Sequence, residues 1–408
     1  MIAPDEDGSP NNRVAKTSLD VGIACDFLFE GGAEMVIDAL CAANPDSQIY
    51  TAIYTPQSLS KYPAIQRALE DRRIHPSPAQ SILSLPFVPK RLSVYHFYWL
   101  YFLTSTFQRT KRHDIVFYSC AAQSKLIRAP RDTPVVVYFH TPTRWLYPSL
   151  TTSADLEAIP RPLRGIIRVL NFGLRPLDNL GIRRLRNRRV VWLCNSNYTR
   201  ETVREIYGVE CRVVHPPVDL ARFQGTQRKP GNFFLYNGRI TFQKRVDLAI
   251  RACHAARRPL VISGQATSPE LGKYLQSLVD DEVDRDPSLE GLVTFLGRTS
   301  DEKLRELFAH CAALIFPPRE DFGIAPIEAI ASGVPVIAYK AGGALDYIQA
   351  GVNGRFFETQ TVEDLAKALQ NFDNSDFDPV TIMKSIPDLS VGRFHREIRE
   401  TFRTVLSD

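Results

Sequence analysis

Short uninterrupted apolar runs recur along the whole chain, and stretches with helical spacing of apolar residues separate most of them. Strands buried on both faces give such runs, and their alternation with helices predicts parallel sheets covered by helices on both sides. The predicted strands are residues 21–25, 48–54, 115–119, 135–140, 190–195 and 212–215 in the first half, and 233–236, 260–263, 293–296, 313–316, 334–338 and 355–357 in the second. We therefore expect doubly wound α/β architecture, with ligands bound beyond the carboxyl ends of the strands.

A length of 408 residues suits about two domains. Pro216-Pro217 stiffens the end of the first half, and the polar stretch 224–231 has the composition of a linker. We predict domains at 19–223 and 224–385, preceded by a polar, disordered leader at 1–18. Predicted helices of the second domain are 245–256, 268–284, 300–310, 325–332, 343–350 and 361–371.

Composition excludes several classes of protein. A hydrophobic fraction of 44% and a charged fraction of 23% are those of a globular protein. Seven scattered cysteines form neither a zinc pattern nor a disulfide framework, which indicates a reducing compartment. No apolar run is long enough to cross a bilayer. We expect a cytoplasmic protein.

The most informative window is 313–339, which begins with an apolar strand, breaks at two prolines and leads into a predicted helix. Glu320 lies on the loop that contains Gly323, and Glu328 lies in the helix eight residues later. The free amides and the dipole at the start of a helix favour anions. This layout suits a ligand that carries both hydroxyl and phosphate groups.

The window resembles the Glu-x7-Glu motif of the retaining, nucleotide-sugar-dependent glycosyltransferases of family 4, which have the two-domain GT-B fold. The match includes the proline pair, Phe322-Gly323 and residues 333–336, and is far more specific than two glutamates alone. The resemblance implies two Rossmann-like domains facing across a cleft. The first would face the acceptor, the second would bind the nucleotide sugar, and residues 386–408 would form a helix that packs back on the first domain.

Two loops of the first domain also match this family. Gly31 and Gly32 separate a strand from a helix; alone they could form an ordinary turn, but in the family this loop faces the donor diphosphate. His140 begins the motif 140–145 at the end of a strand, where a lone histidine is usually structural. The resemblance instead implies that His140 reaches the donor sugar near its reacting carbon. This motif is most similar to GDP-mannose-dependent bacterial mannosyltransferases, so GDP-mannose is the expected donor.

Arg239 and Lys244 follow the first strand of the second domain and precede a helix. Without context, two cations on a loop would be solvated surface residues. In the family these positions neutralise the donor diphosphate. Gly342-Gly343, followed by Asp346, resembles a further Gly-Gly-x-x-Glu element of the family, although its acid is one methylene shorter.

The resemblance implies a role for each candidate. Glu328 would accept hydrogen bonds from the ribose and Glu320 from a sugar hydroxyl, beside the start of the helix. The expected catalytic residues are His140, Arg239, Lys244 and Glu320, and the expected donor-binding residues are Gly31, Gly32, Arg239, Lys244, Glu320, Phe322, Gly323, Ile324 and Glu328.

The expected reaction transfers a hexose with retention at its anomeric carbon. Most retaining glycosidases use a protein nucleophile, whereas the family is thought to use a same-face reaction in which the departing phosphate oxygen takes the acceptor proton. Because Arg239 and Lys244 supply positive charge, and no Asp-x-Asp pair is found, neither a metal nor another cofactor is expected.

Two basic segments, 90–112 and 161–189, interleave cations with aromatic and aliphatic residues. They fit an anionic membrane surface or a glycan or lipid-linked acceptor, and equally an ordinary core-facing helix with a solvated basic side. No RNA-binding signature accompanies them, so nucleic acid is not an expected partner.

Other functions remain open from the sequence. A UDP-sugar-dependent transferase of the same fold would carry the same motifs, since few of their residues touch the base. A GT-B sugar-nucleotide epimerase would not be expected to combine the Glu320/Glu328 window with the His140 motif. A non-catalytic sugar-nucleotide sensor could retain every binding residue.

Overall fold

The computed structural model describes residues 19–83, 98–147, 149–150, 164–223 and 225–407. The predicted leader, 1–18, lies outside the described residues. Two parallel sheets dominate the described chain, one formed by residues 21–213 and the other by residues 234–357.

The N-terminal sheet has seven strands in the order β5-β3-β1-β6-β7-β8-β9, and every pair in it is parallel. Its strands are β1 (Val21–Cys25), β3 (Gln48–Thr51), β5 (Ile74–Pro76), β6 (Ile115–Cys120), β7 (Val135–Phe139), β8 (Val190–Cys194) and β9 (Arg212–Val213). A separate parallel pair joins β2 (Phe27–Leu28) to β4 (Ile53–Tyr54). From β1, the chain adds β3 and β5 on one side of the sheet and β6 to β9 on the other. The loops that follow the neighbouring strands β1 and β6 therefore leave the sheet side by side.

Helices cover this sheet, as its buried apolar strands require. They are α1 (Gly32–Ala43), α2 (Pro63–Glu70), α3 (Pro78–Leu83), α4 (Tyr98–Phe107), α5 (Arg164–Arg186) and α6 (Asn197–Tyr207). α6 has a serine N-cap, since Ser196 accepts the amide hydrogen of Thr199, and it ends at Gly208 in the left-handed conformation.

The C-terminal sheet has six parallel strands in the order β12-β11-β10-β13-β14-β15. They are β10 (Phe234–Asn237), β11 (Leu260–Ser263), β12 (Val293–Gly297), β13 (Leu314–Phe316), β14 (Val336–Tyr339) and β15 (Gly354–Phe357). The helices are α7 (Val246–Ala256), α8 (Pro269–Arg285), α9 (Asp301–His310), α10 (Ile324–Ala331), α11 (Val362–Gln370) and α12 (Pro379–Ser385).

The last helix, α13 (Val391–Ser407), returns to the N-terminal domain. Phe394, Ile398 and Phe402 are buried in the hydrophobic core of that domain, beside residues of α1 and β7. The Phe402 ring meets the Phe117 ring of β6 edge to face, with 6.4 Å between centroids. The chain therefore crosses between its two halves twice.

The predicted α/β class is confirmed, and the differences are local. Residues 74–76 form an edge strand that the sequence analysis missed, because it is short and ends in proline. The expected helix at 343–350 is a 3-10 turn at 342–346, since Gly342 adopts a φ of 72° and the chain bends there. Residues 379–385 form a short helix that was not predicted.

A buried ion pair joins α5 to the loops after β6 and β7. Lys125 Nζ lies 2.8 Å from Asp178 Oδ1, and neither side chain is exposed. The hydroxyl groups of Thr143, Tyr147 and Tyr207 donate to the same carboxylate at 2.7 to 2.8 Å. Burial would lower the pKa of Lys125, but the neighbouring negative charges outweigh it and raise that pKa. This network fixes the loop 140–147, which carries the histidine motif.

Replacing Lys125 with methionine should destabilise the protein by about 3–5 kcal/mol, because it leaves the charge of Asp178 buried without its cation. Urea denaturation followed by circular dichroism measures this loss. The double variant K125M/D178N should recover part of it. A single variant as stable as the wild type would show that the pair does not hold this loop.

Candidate active site

The carboxyl ends of both sheets face one cleft, and polar contacts join its two walls. Arg144 Nη2 in the histidine motif lies 2.6 Å from Asp321 Oδ2, next to Glu320. Arg298 and Glu30 pair at 2.8 Å. The Asp346 carboxylate accepts the amide hydrogen of Asn197 at 2.8 Å. Asp346 thus contacts the start of α6 in the opposite domain.

The glycine pair forms part of the N-terminal wall. The Gly31 amide donates to the hydroxyl oxygen of Tyr62 at 3.0 Å, and that hydroxyl donates to the Gly31 carbonyl at 2.7 Å. Gly32 is the first residue of α1, where backbone amides lack helical partners. A Cβ atom on Gly32 would lie 3.0 Å from Ile324 Cδ1 of the C-terminal domain. The pair therefore allows the two walls to approach closely.

His140 lies at the end of β7, on the same wall. Its Nε2 atom is 2.8 Å from Ser119 Oγ of β6, and its carbonyl accepts from the Asn195 side chain. Burial lowers the pKa of His140 to about 4, so the ring is neutral at pH 7. A neutral imidazole can accept or donate a hydrogen bond without repelling a developing positive charge on a sugar.

The C-terminal wall is built around the first turn of α10. Gly323, its N-cap residue, has a φ of 89°, and a Cβ there would lie 2.8 Å from Phe316 and Tyr347. The Tyr347 hydroxyl bonds to the carbonyl oxygens of Phe322 and Gly323 at 2.8 and 3.0 Å. No side chain caps the helix, so its first amides have no side-chain partner. The Phe322 ring is buried.

Two of the predicted cations stand near this helix. Lys244 forms an ion pair with Glu320, the first glutamate of the motif. Arg239 is exposed and makes no ion pair with any other residue that the structure describes. Its guanidinium approaches Gly31, since a Cβ on that glycine would lie 3.9 Å from Arg239 Nη2. Arg239 is therefore available to meet an anion between the domains.

Glu328 is buried in α10 and forms an ion pair with Arg222. Burial raises the pKa of Glu328 to about 7, and Arg222 opposes this shift. Sequence reasoning missed Arg222. The sequence offered one indication of its role, namely that Arg222 is a basic residue in the segment between the two domains.

The structure brings Gly31, Gly32, His140 and Arg239 together around a cavity of about 190 Å³. Lys244, Glu320 and Glu328 do not line this cavity. They lie around α10, whose first residue touches Gly32. The predicted residues thus form two adjacent groups along one cleft. A larger groove of about 460 Å³, between α7, α8 and α11, contains none of them.

Two buried carboxyl groups in the cavity were missed as site residues. Asp26 follows β1 and accepts backbone hydrogens from Ala121 and Ser124 at 2.5 and 2.6 Å, which fixes the loop after β6. Glu34 accepts from the Phe29 amide at 2.9 Å, and burial raises its pKa to about 7. Asp26 could have been recognised from the sequence as a candidate site residue, because it is an acidic residue directly after β1, where parallel sheets bind ligands.

The two basic segments combine features of both interpretations, a core-facing helix and an exposed apolar surface. Tyr101 and Phe102 are buried, because α4 packs them into the domain interior. Residues 90–97 and 161–163 lie outside the described chain. The first half of α5 does expose apolar side chains, namely Ile166, Val169, Leu170 and Phe172, with exposed fractions from 46% to 72%. Asp178, the acid of this segment, is the buried partner of Lys125.

Within the described residues, no group of three or more His, Cys, Asp and Glu side chains has the arrangement of a metal site. All seven cysteines are buried and unpaired. None of the helices that the structure describes is both long and apolar enough to span a membrane.

Solved structures show the class of protein to which this architecture belongs. The chain is similar to Anabaena HepE crystallised with UDP, with a TM-score of 0.64 and 16% identity over 95% of this chain and 100% of that one. It is also similar to sucrose-phosphate synthase from Thermosynechococcus elongatus, with a TM-score of 0.60 and 14% identity over 95% and 99% of the two chains. The fold is therefore GT-B, as the resemblance implied.

Family models narrow the class further. The model described as Glycosyltransferase Family 4 matches residues 30–222, and the model described as Glycosyl transferases group 1 matches residues 218–378. Together they span both domains, so the chain belongs to glycosyltransferase family 4.

Curated relatives match over shorter regions. The alpha-1,3/1,6-mannosyltransferase ALG2 of Dictyostelium discoideum is 35% identical over 113 residues, which are 28% of this chain and 26% of that protein. The lipopolysaccharide core biosynthesis mannosyltransferase LpcC of Rhizobium leguminosarum bv. viciae is 28% identical over 170 residues, 40% of this chain and 47% of the relative. Each match spans less than half of the relative's own length.

Proposed function

We propose that the protein transfers a hexose from a nucleoside diphosphate sugar to a hydroxyl group of a glycan or lipid-linked acceptor, with retention at the anomeric carbon. The observation that carries this proposal is the cleft itself. Arg239 lines one cavity with Gly32 and His140, and the first residue of the uncapped helix α10 lies against Gly32 from the other domain.

The leaving nucleoside diphosphate gains negative charge as the glycosidic bond breaks. Arg239, Lys244 and the first amides of α10 would stabilise that charge, because positive groups placed near the leaving group before the reaction need little rearrangement. These groups supply the charge that the leaving group needs, so the proposed reaction uses no metal ion. Lys244 would exchange part of its contact with Glu320 for the diphosphate, leaving Glu320 to accept from a sugar hydroxyl.

His140 is proposed to lie beside the reacting carbon of the donor. The acceptor hydroxyl attacks this carbon from the face that the diphosphate leaves. A new glycosidic C–O bond forms as the C–O bond to phosphate breaks, and the acceptor proton passes to the departing phosphate oxygen. The neutral imidazole positions the sugar without taking part as a nucleophile.

GDP-mannose is the proposed donor. The support is the match of residues 140–145 to the mannosyltransferase subgroup, together with the mannosyltransferase names among the partial relatives. The alternative is a UDP-sugar, since Anabaena HepE has been crystallised in complex with UDP-glucose. We propose a role in cell-surface polysaccharide synthesis on the cytoplasmic side of the membrane. The support is the lipopolysaccharide core mannosyltransferase LpcC among the partial relatives and the two basic segments, 90–112 and 161–189.

Incubation with GDP- and UDP-sugars and a lipid extract tests the reaction. We expect hexose transfer by the wild type, and a loss of about 100-fold or more in turnover for Lys244→Ala, because a charged transition-state contact is removed. Lys303→Ala is the matched control, since Lys303 is exposed on α9 and, among the residues that the structure describes, forms an ion pair with Glu306 alone.

Equal turnover of K244A and K303A would place the diphosphate elsewhere. Epimerisation of the donor sugar would indicate an epimerase. Binding of the sugar nucleotide with neither transfer nor epimerisation would indicate a non-catalytic sensor.

We also propose that the first half of α5 lies on an anionic membrane surface that presents the acceptor. Val169 and Phe172 are about 70% exposed, and Arg164 and Arg168 lie in the same turns. A helix binds an anionic membrane when its apolar residues enter the interface and neighbouring cations contact the lipid phosphates. Leu103 and Phe107 of α4, a helix that contacts α5, are also exposed.

Flotation with vesicles of phosphatidylglycerol and phosphatidylcholine tests the surface. The wild type should bind these vesicles and not pure phosphatidylcholine, and V169S/F172S should bind several-fold less because its insertion is lost. Val380→Ser, on the C-terminal domain, is the control for an exposed apolar residue. Failure of the wild type to bind, or full binding by the double variant, would contradict a membrane role for α5.

A further inference from the structure

Arg222 lies at the junction of the two domains and contacts the C-terminal half of the site. It belongs to a short turn, Ala221–Phe223, in the segment that joins the domains. Its guanidinium stacks over the Phe223 ring at 4.7 Å, and Phe223 is buried in the C-terminal core. This stacking fixes the direction in which the guanidinium points.

The Arg222 guanidinium donates hydrogen bonds to two carboxylates. Arg222 Nη2 donates to Oε1 of Glu328, while Nη1 donates to Asp301 at 3.2 Å. No hydrogen bond from the described residues reaches the second carboxylate oxygen of Glu328. Glu328 therefore has one oxygen held by the protein and one that can accept from a ligand.

The charge of Glu328 depends on groups from several elements. Burial disfavours its carboxylate, and Asp301 at the start of α9 raises its pKa further. Arg222 opposes both effects, with a smaller contribution from Lys61 of the N-terminal domain. Lys61 is itself paired with Glu30, so Arg222 is the cation in direct contact with this carboxyl group.

We propose that Arg222 is a positioning residue for the nucleotide: it keeps Glu328 as an oriented carboxylate that accepts hydrogen bonds from the two ribose hydroxyls. This inference rests on the proposed function and on the ribose role that the family resemblance implies for Glu328. It adds that the segment joining the domains sets the affinity for the nucleotide. Because a protonated carboxyl group is a poorer acceptor for two hydroxyls, the ionised form should bind the ribose more tightly.

The sign of the pH dependence follows from this preference. Affinity should rise as the pH increases through the pKa of Glu328, about 7, and should level off above it. Removing Arg222 favours the protonated form and should move the rise to higher pH. Removing the charge of Asp301 favours the carboxylate and should move the rise to lower pH.

The experiment measures the affinity of the full chain for GDP and for UDP by calorimetry between pH 5.5 and 8.5. For Arg222→Met we expect the rise to move upward by about one pH unit, with affinity about tenfold weaker below pH 7. Arg222→Lys keeps a cation and should restore part of the shift. Asp301→Asn should shift the rise downward, and it retains folding because its side chain is exposed. Arg285→Met, an exposed arginine paired with Glu282, is the matched control.

Two results separate the inference from the proposed function. If Glu328→Gln leaves nucleotide affinity unchanged, the ribose role of Glu328 fails and the inference fails with it. If Glu328→Gln weakens binding but R222M and D301N keep the wild-type pH profile, only the role of Arg222 is overturned. Should R222M fail to fold, R222K and D301N still decide the question through the direction of their shifts.

Discussion

Donor binding in this protein depends on one electrostatic arrangement: the start of α10 has no side-chain cap, and its first residue lies against Gly32 of the opposite domain. An uncapped helix start presents several backbone amides and the positive end of a dipole to a single point. Arg239 and Lys244 are placed near the same wall. An anion bound there would meet charge from three separate segments of the C-terminal domain.

Close backbone packing keeps this wall in place. A Cβ on Gly342 would lie 2.3 Å from the Glu320 carbonyl oxygen, and one on Gly343 would lie 2.4 Å from that of Asp321. The Gly343 amide also donates to Glu320. The loop that carries Glu320 is thus held by its neighbour's backbone, which explains why a glycine pair occurs there. On the opposite wall, the buried Lys125–Asp178 pair holds the histidine motif.

The two parallel sheets, and the order of most strands and helices along the chain, could be predicted from the sequence. A parallel strand buried on both faces is apolar throughout and is therefore easy to recognise. Edge strand β5 could not be predicted in this way, because its partly exposed residues and its terminal proline do not form an uninterrupted apolar run. The motif residues were found because their spacing is local. Arg222, Asp26 and the Arg144–Asp321 contact were missed because they depend on distances between segments that are far apart in sequence.

A crystal structure of the protein with GDP, and one with UDP, would show where the diphosphate binds. We expect diphosphate oxygens within hydrogen-bond distance of both Arg239 and Lys244, beside the first amides of α10, with the ribose on Glu328. A nucleotide bound with its diphosphate away from both cations would contradict this expectation.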